Sequence, residues 1–101
     1  MTLTKKQIKQ LRTLGQKLSP LLIIGKNGIT DATIKQADET IEKRELLKCQ
    51  VLPDIGIDAK EAAQTLCEKL HAELVQTIGN RFVIYRASHR DDIDKIQLTR
   101  E

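Results

Sequence analysis

Hydrophobic residues in this chain keep two different periods, and the periods alternate along it. Ile8, Leu11, Leu14 and Leu18 recur at helical spacing, and Leu21-Leu22-Ile23-Ile24 then forms a short apolar run that reads as a buried strand. Helical spacing returns with Ile34, Ala37 and Ile41. Leu47, Cys49 and Val51 then alternate as on a strand, which puts Lys48 and Gln50 on the other side. Ala59, Ala62, Ala63, Leu66, Cys67 and Leu70 make a third helical face. Glu73 to Ile78 and Arg81 to Arg86 read as a hairpin around Gly79-Asn80. The order is therefore α-β-α-β-α-β-β. It predicts an α/β fold with a four-stranded mixed sheet, helices packed on it and an antiparallel pair closing it. The first helix lies outside any β-α-β unit, so the pattern does not say where it docks.

Local punctuation sets the expected boundaries. The first helix runs from Thr4 to about Gly15, a candidate C-terminal cap, and Pro20 ends the segment. Thr30 can cap a helix from Asp31 to about Arg44, and Asp58 one that reaches about His71. Glu45 to Leu52 is the strand between them, followed by the turn-rich Pro53-Asp54-Ile55-Gly56. A length of 101 residues fits a single domain over 1–101. Within it, about 87–101 read as a charged tail of open order, to which Ile96-Gln97-Leu98 could add an edge strand. Asp91, Asp92 and Asp94 lack the glycine and distal Glu of a calcium loop and read as solubilising.

Composition narrows the chemistry. Phe82 and Tyr85 are the only aromatic residues. The core must then be aliphatic, and nucleic-acid recognition on an aromatic stacking platform is disfavoured. No apolar run approaches the roughly 20 residues of a membrane span, and the first residues lack an apolar signal segment, so a cytoplasmic protein is expected. Cys49 and Cys67 form no C-x-x-C and have no nearby His pair; they read as reduced thiols rather than a disulfide or metal site. His71 and His89 read as surface residues. No catalytic constellation, cofactor motif or small-molecule site emerges, and a non-enzymatic role is expected.

Charge is distributed unevenly. The first thirty residues hold Lys5, Lys6, Lys9, Arg12, Lys17 and Lys26 and no carboxylate, so the formal net charge of +3 is +6 there and −3 in the rest. A helix face that is merely solvated usually mixes Glu with its Lys, so an acid-free stretch points to an anionic partner. Inside this stretch, Gly25-Lys26-Asn27-Gly28 joins a strand to a helix N-terminus, where backbone N–H groups can converge on an anion. The loop is too short for a P-loop and lacks its Lys-Ser/Thr ending. It does match the compact G-x-x-G loops that clamp a nucleic-acid backbone. Its glycines also have a purely steric explanation, positive φ in a tight turn. If the first helix packs beside the loop, Lys5, Lys9 and Arg12 extend one phosphate-binding surface. Lys6, Lys48, Arg81 and Arg86 either widen that surface or, for those on the sheet, pair with Glu45 and Glu73.

Taken together, Gly25-Lys26-Asn27-Gly28-Ile29-Thr30, Glu45-Leu46-Leu47-Lys48-Cys49, Val75-Gln76-Thr77-Ile78-Gly79 and Val83-Ile84-Tyr85-Arg86 are similar to the CRM domain (chloroplast RNA splicing and ribosome maturation). More specifically, the chain resembles the small stand-alone bacterial YhbY-like proteins, from about Leu3 to Leu98. Leu11-Arg12-Thr13-Leu14 and Leu18-Ser19-Pro20 fit as well. Gly15-Gln16 departs from the Ala-His expected before that proline segment. The resemblance implies a fold similar to the C-terminal domain of bacterial translation initiation factor three. It also implies RNA binding, with Gly25, Lys26, Asn27 and Gly28 as the contact loop and Lys5, Lys9 and Arg12 as the neighbouring patch. The implied partner is ribosomal RNA in precursors of the large subunit. The competing expectations are a protein-interaction adaptor whose basic face docks on an acidic partner, and a small phosphate-handling enzyme.

Overall fold

Seven elements follow the alternation of hydrophobic periods: α1 (Lys5–Gln16), β1 (Leu22–Ile24), α2 (Asp31–Arg44), β2 (Leu46–Val51), α3 (Ala59–Leu70), β3 (Glu73–Ile78) and β4 (Arg81–Tyr85). The computed structural model describes residues 3–89 together with Asp92 and Ile96. All three helices start on side-chain caps. Thr4 accepts from the Gln7 amide while the Gln7 side chain accepts from the Thr4 amide, a reciprocal capping box. Thr30 accepts from the Thr33 amide and Asp58 from the Lys60 amide.

The strands form one mixed sheet in the order β1-β2-β4-β3. β1 runs parallel to β2, and β4 is antiparallel to both β2 and β3. The α/β fold and four-stranded mixed sheet expected from the sequence are thus present. The last hairpin is held across the sheet by Asn80, whose side chain donates to the Val51 carbonyl at 2.9 Å while its own carbonyl accepts from the Val51 amide.

Two cores lie on opposite sides of this sheet. On one face Leu22, Ile24, Leu47, Cys49, Val51, Phe82 and Ile84 pack with Ala37 and Ile41 of α2 and with Ala62, Ala63, Leu66 and Leu70 of α3. On the other, Leu46, Val75, Val83 and Tyr85 pack with Leu3 and Leu11, flanked by Ile8, Leu14, Leu18 and Ile96. The structure therefore settles the place of α1: it covers the sheet face opposite α2 and α3. Gly15 is not its cap. It is a buried residue inside the helix, and a Cβ built there would come within 3.1 Å of Val83 Cγ2. Its bare backbone lets α1 sit close on β4, while Lys17 closes the helix.

β1 departs from the expected fully buried strand. Leu22 and Ile24 are buried, but Leu21 and Ile23 are exposed because α1 packs over β2, β3 and β4 rather than over this edge.

Beyond β4, Arg86, Ser88, His89 and Ile96 are held by three acidic residues. Glu45, buried and at φ +63, ends α2, and its carboxylate accepts from the amides of Ser88 (2.6 Å) and Ile96 (2.7 Å). A buried carboxylate is costly unless such donors meet it. Burial, followed by the Glu45 charge, pushes the Tyr85 hydroxyl pKa up. Arg86 bridges Asp38 at 2.8 Å and Glu42 at 2.9 Å and also donates to the Leu70 carbonyl. Burial would raise the Glu42 pKa, but the His89 amide and Arg86 outweigh it and hold the carboxyl below its ordinary value. Asp91, Asp94, Gln97 and Leu98 lie outside the described residues. Among the described residues, no helix is long and apolar enough to cross a membrane.

Two outcomes follow from this packing. Gly15→Leu forces α1 away from Val83 and should lower unfolding stability by about 1–3 kcal/mol, read as a shifted denaturant midpoint. Burial pushes the Cys49 thiol up to about 12 and the Cys67 thiol up to about 11. Both should therefore resist a thiol reagent at pH 8 in the folded protein and react on unfolding. Because these folded values exceed the ordinary thiol range, stability should also fall as pH rises above about 9.

Candidate nucleic-acid interface

The glycine loop leaves β1 at the end of the sheet that also carries the β3–β4 hairpin. It closes as a turn in which the Gly28 amide donates to the Gly25 carbonyl at 2.9 Å, with Lys26 and Asn27 exposed at its tip. The two glycines do different jobs. Gly28 sits at φ +69, and a Cβ there would also meet Ile57 Cδ1 at 3.4 Å. Its glycine is explained by the fold. Gly25 has no positive φ, and a Cβ there would meet only Leu52 Cδ1, at an ordinary 3.8 Å. Nothing in the packing requires Gly25 to be bare.

The start of α2 is less open to an anion than the sequence suggests. Thr30 already occupies the Thr33 amide, and exposed Asp31 complements the helix dipole in the first turn. An anion at this loop would be met by the turn and Lys26 more than by the helix end.

Lys5, Lys9 and Arg12 are exposed and spaced four and three residues apart, so they share one face of α1, with Lys6 exposed beside them. This face does not lie beside the loop. The Arg12 Nε donates to the Val75 carbonyl at 3.5 Å, on β3, while the loop follows β1 at the opposite edge of the sheet. Val75 is the irregular residue where the β3–β4 register shifts between Leu74 and Gln76. The sheet itself lies between loop and helix.

The remaining cations divide. Arg81 is exposed at the start of β4. Lys48 is half-buried under α1, where its Nζ donates to the Gly15 carbonyl at 3.3 Å. Arg86, expected either to widen the basic surface or to pair with Glu45 or Glu73, is committed instead to Asp38 and Glu42, and its side chain is 15% exposed. It is held as a structural tie, because α2 brings two carboxylates to it that a strand-by-strand pairing of the sequence does not reveal.

Sequence reasoning missed the surface between loop and helix. Ile23 pairs with Gln50, Gln50 with Arg81, and Arg81 with Ile78, so the four residues form one row across all four strands on the α1 side. Ile23 is 57% and Ile78 59% exposed. The signal available was Ile23 itself, whose alternation with Leu22 and Ile24 places it on the other face.

Comparison with known proteins gives a consistent set of matches. A family model described as the CRS1 / YhbY (CRM) domain matches residues 3–86. The Bacillus subtilis protein named "Probable RNA-binding protein YqeI" is 42% identical over 86 residues, covering 85% of this chain and 90% of that protein. A Haemophilus influenzae protein named "RNA-binding protein" is 31% identical over 100 residues, covering 99% of this chain and 98% of its own length. The solution structure of SAV1595 from Staphylococcus aureus matches with a TM-score of 0.76 at 46% identity, covering 94% of this chain and 100% of that one.

Proposed function

This chain belongs to the CRS1 / YhbY (CRM) family, and on that premise we propose that it is a non-catalytic RNA-binding protein that grips RNA backbone through the Gly25–Gly28 loop and the cationic face of α1. The observation that carries this reading is Gly25. The fold accommodates a methyl group there, so packing does not explain the missing side chain, and the bare backbone leaves room for a group that approaches from outside. A phosphate group does so when glycines open the chain and a lysine lies beside it. Gly25, Lys26, Asn27 and Gly28 are assigned that contact. Lys5, Lys6, Lys9 and Arg12, with no carboxylate in the first thirty residues, supply the long-range attraction.

Names of relatives support the partner class, since the Bacillus subtilis and Haemophilus influenzae proteins are both named for RNA binding. Ribosomal RNA in precursors of the large subunit is the partner implied by the family resemblance. The proposed role is assistance to large-subunit assembly in the cytoplasm. Contacts to phosphate fix position without reading sequence.

Binding and stability measurements test this. Lys9→Glu, Arg12→Glu and Lys26→Glu combined should abolish RNA binding in a filter assay while the circular dichroism spectrum stays that of the parent. The parent's log affinity should fall with log salt by about 0.7–0.9 per phosphate neutralised. Unchanged affinity in the triple variant defeats the assignment. Gly25→Ala separates site from scaffold: its stability should stay within about 0.5 kcal/mol of the parent, while its RNA affinity drops. Gly28→Ala should instead lose about 1–2 kcal/mol of stability, because alanine resists positive φ.

A further inference from the structure

The loop and the α1 cations lie at opposite edges of the sheet, and a shallow groove occupies the ground between them. It has a volume of about 200 Å³ and is lined by Gln16, Lys48, Gln76, Ile78 and Arg81, with Gly15 of α1 and Phe82 and Val83 of β4. Gln16 stands one turn beyond Arg12, so the stripe of Lys5, Lys9 and Arg12 ends at this groove. At the other end, the row Ile78–Arg81–Gln50–Ile23 leads across the sheet to β1, and Ile23 lies two residues before Gly25. With neighbouring strands about 4.8 Å apart, the row spans about 14 Å.

The chemistry of this surface differs from that of the loop. It combines two cations with three side-chain amides (Gln16, Gln50 and Gln76), and no carboxylate lines it among the described residues. Two exposed isoleucines frame it. Phosphates alone would meet the cations but would leave the isoleucines and amides unused. A base face covers aliphatic surface, and a base edge exchanges hydrogen bonds with an amide. In an A-form duplex the base faces are stacked away, so the base must be unpaired.

We infer that the open end of the sheet, between the glycine loop and the end of α1, holds unpaired nucleotides of the bound RNA. Ile23 and Ile78 lie against base faces, Gln50 and Gln76 meet base edges, and Arg81 and Lys48 meet the connecting phosphates. This rests on the RNA-binding reading and adds a preference for single-stranded segments to it. The loop and helix then hold the backbone on either side of an unpaired stretch.

The test uses the full chain, isotopically labelled, titrated with a short mixed-sequence single-stranded RNA, with an RNA duplex and with inorganic phosphate. The single strand should shift the side-chain amide resonances of Gln50 and Gln76 and the backbone amides of Ile23, Ile78 and Arg81; inorganic phosphate should not. Shifts confined to Gly25–Gly28 and α1 would overturn this inference and leave the RNA reading standing. No binding of either RNA would remove both. Shifts of the same groove on raising protein concentration without RNA would assign it to a second copy of the chain, and would also overturn it. Gln50→Ala, outside the core, should weaken single-strand binding about tenfold, the scale of one lost base contact. It should leave duplex binding within about twofold. Equal losses on both RNAs would show that Gln50 meets no unpaired base and would defeat the inference.

Discussion

Everything in this molecule is arranged around the two-sided burial of β4. Hydrogen-bonded between β2 and β3, β4 sends Phe82 and Ile84 into the core under α2 and α3, and Val83 and Tyr85 into the core under α1. Full burial of an aliphatic or aromatic side chain contributes about 1.5–3 kcal/mol, so a strand buried on both faces supports both layers. It needs a helix on each side. On the second side, among the described residues, the one helix is α1, twelve residues long and seated closely through Gly15 on Val83. One helix cannot cover four strands. The uncovered remainder is the row from Ile23 to Ile78, so the candidate interface arises from the way the core is closed.

The same economy separates structural from available charge. Arg86 and Arg81 flank one strand, yet their fates are opposite. Arg86 meets Asp38 and Glu42 from α2 and ties the chain beyond β4 to that helix. Arg81 faces the α1 side at the open end of the sheet, where no carboxylate lines the groove among the described residues. The strand alternates its side chains between a face rich in acidic helix and a face nearly free of it, and position along the strand decides each residue's role. The two glycines of the loop divide in the same way. Gly28 answers to backbone geometry, whereas at Gly25 the packing makes no such demand.

Much of the architecture was legible in the residues. Thr30 and Asp58 cap helices where their side chains suggested, and β3 spans Glu73–Ile78 as read from its pattern. These are local matters: a cap needs a hydroxyl or carboxylate near the next turn's amides, and a strand needs alternation. The reading failed where a residue's role depends on what lies across space. Gly15 looks like a terminator because glycine often ends helices, yet here it permits a close approach between layers. Ile23 looks buried because its neighbours are, but a helix must arrive over it to bury it, and α1 stops short. Glu45 looks like an ordinary strand residue, and its carboxylate instead anchors Ser88 and Ile96, forty and more positions away.

By itself, the sequence determined the kind and order of elements, the aliphatic character of the core, and the concentration of uncompensated positive charge in the first thirty residues together with a glycine loop. Periodicity, capping and net charge are properties of neighbours in the chain, and they survive in any arrangement of it. Only the tertiary structure decided which face α1 covers, that β4 rather than β1 lies within the sheet, that Arg86 is spent, and that the loop and the basic helix flank an open stretch of sheet instead of touching. Those outcomes depend on which surfaces compete for burial once the chain closes, and no local pattern ranks that competition.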